Sequence, residues 1–169
     1  MINNSEYLNA LLKTTNTQEL LEISSVKIDN LYNNELKYLN ISPIIYNPKV
    51  AIEELGLDLE LINQLLEDYV RQILTAKETF IKYIKQLQEN KSNNIKLHYK
   101  ELRELSHKNL GVARNLRILD AEVILNRLMI DDDVTHMLDY IDALIASVVI
   151  LKPECAYNTL SVLKIKDSF

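Results

Sequence analysis

The chain is poor in the residues that bend a backbone sharply. Its 169 residues include two glycines and three prolines. Tight turns and barrel corners draw on Gly for their unusual φ angles, so this scarcity argues against a turn-rich β architecture. Cys155 is the only cysteine, so no intrachain disulfide can form. No uncharged apolar run is long enough to cross a bilayer, and no membrane partner is expected. The start, Met1-Ile2-Asn3-Asn4-Ser5-Glu6, lacks the basic and apolar regions of a signal peptide. A cytoplasmic location is the default expectation. Cations are not in excess: the formal net charge is −5, which argues against nucleic acid as the main partner. No Gly-rich phosphate loop, Walker motif or kinase motif is present, and two separated glycines could hardly build one.

What is abundant is apolar and helix-forming. Apolar residues make up 47% of the chain, which excludes a disordered class. Residues 5–40 read as one or two modest helices, with Leu8, Leu11 and Leu12 in one stripe and a second run from Thr17 through Leu36. Pro43 and Pro48 place a boundary over 41–48. A short helix over 49–55 ends at Gly56, the usual C-terminal position for glycine. Asp58 is a good N-cap for the strongest run of the chain, from Leu59 to Leu87. Its apolar residues fall in an arc of roughly 160° at about 100° per residue.

A third run covers about 95–116, with Leu102, Leu105, Asn109, Val112 and Leu116 in a 3-4-3-4 seam. A shorter run holds Ile118, Ala121, Ile124, Leu125 and Leu128. Asp131-Asp132-Asp133 then offers an N-cap to a last strong helix, Val134 to Val149, which Pro153 ends. The expected fold is all-α: an antiparallel four-helix bundle over 46–152, an N-terminal helical extension over 1–45, and a C-terminal tail over 153–169 docked through Leu160, Leu163 and Phe169.

One glycine stands inside the third helix. Gly111 lies four residues after His107, one turn on and on the same face. A mid-helix Gly costs roughly 1 kcal/mol relative to Ala. It removes the side chain that would stand beside the imidazole. On the wheel His107 points roughly 180° from the seam, into solvent. Lys100, Arg103 and Glu104 precede it on this strip, and Arg114 follows. A solvent-facing imidazole is an accessible nucleophile, and nearby cations favour an anion attached to it.

The stretch from His107 to Ile118 resembles the signature of histidine phosphotransfer (HPt) domains, in which His is followed by Leu or Ile at +2, Lys at +3 and Gly at +4. The segment from Tyr46-Asn47-Pro48 to Ile84 is also similar to the family's first segment and first long bundle helix. The resemblance covers about residues 46–150. Position +2 here is Asn109 and position +3 is Leu110, where the family has an apolar residue and Lys. A buried amide without a partner costs roughly 1–3 kcal/mol, so Asn109 is expected to be hydrogen-bonded or only partly buried.

The resemblance implies that His107 accepts a phosphoryl group. Lys100, Arg103, Lys108, Leu110, Gly111 and Arg114 would form its phosphoryl environment and docking surface. Arg103, Lys108 or Arg114 would replace the family's Lys. The implied partners are a response-regulator receiver domain, which brings its own Mg²⁺, and a hybrid histidine kinase. The chain would be a phosphocarrier without turnover, binding no cofactor or metal itself. Two other readings stay open: an HPt-like module that binds a kinase or receiver without carrying phosphate, and a plain helical interaction module. His136 beside the aspartate run suggests a metal site less readily than a solvated helix start. Cys155 has no evident base and reads as inert.

Overall fold

The computed structural model describes residues 5–42 and 46–167. Among them eight α-helices and one short 3₁₀ turn account for the regular structure, and no strand is present. The helices are α1 (Glu6–Leu12), α2 (Thr17–Asn33), α3 (Pro48–Leu55), α4 (Leu59–Ser92), α5 (Lys100–Leu116), α6 (Leu119–Ile130), α7 (Met137–Leu151) and α8 (Pro153–Asp167).

Local chemistry sets most of these ends. The Ser5 hydroxyl and the Asn16 amide oxygen accept from backbone N–H groups of Leu8 and Glu19 and so cap α1 and α2. Asn47 caps α3 ahead of Pro48, and α3 stops at Gly56 with φ +65°. Asp58 accepts from Leu61 N at 2.8 Å and starts α4. That helix runs 34 residues, or about 51 Å at 1.5 Å per residue. Its buried stripe runs from Ile62 through Tyr69, Ile73 and Phe80 to Leu87; Leu59, expected in the stripe, is exposed.

The core is organised around α7. Every residue from Tyr140 to Val149 is buried, so this helix has no solvent face over that stretch. A helix apolar on all sides is stable in water only when neighbours cover it on all sides. Helices α2, α4, α6 and α8 provide that cover. Ala143, Ala146 and Ser147 keep its surface thin enough for close approach.

Two expectations change here. Residues 1–45 were expected as an extension, yet Leu20, Leu31 and Leu36 of this segment are fully buried in the same core as α4–α7. Residues 153–169 were expected as a tail. Within the described part they form α8, which Pro153 opens rather than merely following α7, and Ala156 and Leu160 are buried. Pro suits a first helical turn because its missing N–H has no partner there anyway. Leu163 packs at the edge of the core, and Phe169 lies outside the described residues. The aspartate run also behaves differently from expectation. Asp133 turns onto the N–H and hydroxyl of Thr135, and α7 begins only at Met137. No helix of the described residues is long and apolar enough to cross a membrane.

Candidate functional site

Helix α5 carries His107 at its middle. The helix starts at Tyr99 without a side-chain cap. The Arg103 guanidinium instead lies over the Tyr99 ring, 4.6 Å from its centroid, and donates to Asp132 at 2.7 Å. The Tyr99 hydroxyl donates to the Asp132 carbonyl. These contacts tie the start of α5 to the loop before α7. The other end closes at Arg117, whose φ of +60° ends the helix and whose guanidinium pairs with Glu54 of α3.

The buried face of α5 is Leu102, Ser106, Asn109, Leu110, Ala113 and Leu116, with Leu105 and Val112 half-buried. This is rotated from the seam read in the sequence, toward Leu110. The cause is the close packing of α6 against α5, which covers a second flank of the helix. His107 stays on the open side and is exposed, as are Lys100, Glu104, Lys108, Gly111 and Arg114. Leu110 was expected to give this strip an apolar element; it is instead a core residue at 3% exposure. The exposed strip is therefore polar.

Asn109 is buried, and both ends of its amide are hydrogen-bonded. Its amide oxygen accepts from Gln72 Nε2 of α4 at 2.8 Å, and its Nδ2 donates to the Leu105 carbonyl at 2.8 Å. The expectation that this amide finds partners holds. The pair ties α4 to α5 within one turn of His107.

The cations expected around His107 divide into two sets. Arg103 is turned toward Asp132, and Arg114 Nε lies 3.7 Å from Glu122 of α6. Burial pushes the Glu122 carboxyl up, while Arg114 and Arg117 pull it down. Lys100 and Lys108 are exposed to solvent. Gly111 is open: a Cβ built on it would meet nothing within 4 Å. Among the described residues no contact requires a glycine there.

His136 stands apart, with Nδ1 3.3 Å from Asp139 and its ring against Tyr38. Among the described residues no group of three or more His, Cys, Asp or Glu side chains converges as a metal-holding set. Cys155 is half-buried, with the Arg71 guanidinium 3.6 Å from its sulfur.

Sequence reading missed three long-range polar clusters. Asp142, buried on α7, accepts from the Ser5 hydroxyl at 2.9 Å and lies 3.7 Å from Lys27 Nζ. Tyr140 donates to Asp131 and shares a short hydrogen bond with Tyr38. Asp120 accepts from Ser147 at 2.8 Å and from Tyr32 at 3.4 Å. Most of their partners are far apart in the chain, so no local motif announces them.

The architecture defines an all-helical bundle with a buried central helix and an exposed histidine on a flanking one. Comparison with protein families, curated proteins and solved structures returns no match.

Proposed function

We propose that the protein is a histidine phosphotransfer module in which His107 accepts a phosphoryl group from, and returns it to, a receiver-domain aspartate. The observation that carries this reading is the pairing of an exposed imidazole with a glycine one turn away that the fold itself does not need. The neutral imidazole attacks the phosphorus of the aspartyl phosphate through its free nitrogen lone pair. The N–P bond forms as the P–O bond breaks, and the electron pair leaves with the receiver's carboxylate. The receiver supplies Mg²⁺ and the groups that bear the developing charge. This chain supplies the nucleophile, a clear approach over Gly111, and the charges of Lys100 and Lys108.

The test is incubation with phosphorylated receiver domains from the same organism. The expected result is acid-labile label on the wild type and none on His107→Gln. Failure of every receiver to label the wild type would remove the reading.

A second reading has its own support. Arg103 and Arg114 are in ion pairs with Asp132 and Glu122, and the family's Lys is replaced by a core leucine. Those features suit a module that docks on a receiver or kinase without carrying phosphate. Saturable receiver binding with equal affinity in wild type and His107→Gln, and no label in either, would select it.

A further inference from the structure

A cavity of about 680 Å³ opens where α2, α3, α6 and the end of α7 meet above the start of α4. It is separate from His107: Arg117 on its wall is ten residues further along the chain, about 15 Å by helical rise. Its size lies within the range of pockets that enclose drug-sized molecules, about 300–1,000 Å³. Ile28, Leu66 and Ile118 line it from the core side. Val50, Leu119 and Ile150, from three different helices, are 42%, 51% and 38% exposed along its lining. Helix α7 is buried from Tyr140 to Val149, and its apolar run continues into the cavity at Ile150. Exposed apolar side chains gathered around a concavity mark a ligand surface rather than scattered solvent contacts.

The polar groups of the lining brace the helices against one another. Asp120 of α6 accepts from Ser147 of α7, from Tyr32 of α2 and from the Ala121 N–H. The Tyr46 hydroxyl donates to the Leu116 carbonyl at 2.6 Å, and Arg117 pairs with Glu54 of α3. Lys152 donates to Asn63 of α4 at 3.2 Å. These links fix the walls, so the cavity is part of the folded architecture. They also leave it without a preferred sign of charge. Among the described lining residues, Arg117 and Lys152 stand against Asp29 and Asp120, and the formal charges cancel. Arg117 is already matched by Glu54, Asp120 is held by neutral donors, and Asp29 is exposed to water. A charged ligand would lose hydration there without a dominant counter-charge, which is costly. A neutral apolar body gains by leaving water and meets no such cost.

We propose that this cavity binds a neutral, largely apolar small molecule, its body held among Val50, Leu119 and Ile150. The site is independent of phosphotransfer at His107. Its test is calorimetric titration of the intact protein at pH 7 with three ligands that share one chain and differ in head group: n-decanol, n-decylammonium and n-decanoate. Each is kept below its solubility or micelle limit. Saturable binding of decanol is expected, at least tenfold tighter than either ion. Val50→Trp fills space from an exposed position on α3 and is expected to weaken decanol binding at least tenfold, with an unchanged circular dichroism spectrum. Ile150→Glu, on the α7 side, puts a charge against the apolar body and is expected to do the same. His107→Gln is expected to bind as the wild type does. Non-saturating uptake of decanol, or an ion that binds as tightly as decanol, would overturn the proposal. So would unchanged decanol affinity in either variant once folded, or loss of binding in His107→Gln. The head-group comparison needs no variant, and the two substitutions lie on different helices, so a folding failure in one leaves the other to decide.

Discussion

At Gly111 the folded chain gives up helix stability without gaining packing. Since a Cβ there meets nothing within 4 Å, Gly111→Ala is expected to raise stability by about 0.5–1 kcal/mol, read as a higher urea midpoint with unchanged slope. A larger side chain separates folding from docking. Gly111→Phe is expected to fold normally and to lose phosphoryl acceptance at His107. Labelling at the wild-type rate would show that the open position has no role in partner approach. Asp142 makes a different residue-scale prediction. Burial raises its pKa to about 6, against the pull of the Ser5 hydroxyl and Lys27. A carboxyl with a raised native pKa is a source of stability in acid that is lost on ionisation. That contribution is complete below about pH 4, the unfolded value, and is lost as pH rises through about 6. The loss is of order 2–3 kcal/mol. Asp142→Asn should flatten this part of the stability-versus-pH curve; a curve that keeps the wild-type slope between pH 4 and 7 would show that Asp142 does not set it.

Helix ends and helix faces were legible to different degrees. The start of α4 at Asp58 and the end of α3 at Gly56 follow from short-range chemistry, which is why sequence alone located them. Asp58→Ala removes the acceptor for Leu61 N and is expected to cost about 1 kcal/mol in thermal or urea unfolding. The buried face of α5 was less legible. Its periodicity gave the helix and the outward direction of His107, but two flanking helices, α4 and α6, cover a wider arc than one seam. That difference moved Leu110 from the expected dock into the core. Asn109 shows the converse. Its position in the seam was readable, while its partner Gln72 lies 37 residues earlier on another helix and no local pattern could name it.

On the scale of the whole molecule, the N-terminal helices are structural. Leu20, Leu31 and Leu36 are fully buried, and α2 covers one side of the apolar α7. A chain beginning at residue 46 should therefore expose that side, bind a hydrophobic dye and lose its cooperative thermal transition. A sharp transition in the truncated chain would instead show that residues 46–152 fold alone. Helix content, the placement of most helices, the helix ends at Asp58 and Gly56 and the exposure of His107 were set by the sequence alone, because they depend on residues within a turn or two of one another. The tertiary structure decided that α7 is enclosed by α2, α4, α6 and α8, and that Asp142 meets Ser5 and Lys27. It also decided that Arg103 and Arg114 turn to acids, and that Asp120 meets Ser147 and Tyr32. Each of these joins side chains from separate segments of the chain, and a one-dimensional period carries the direction a residue faces but not what it meets there.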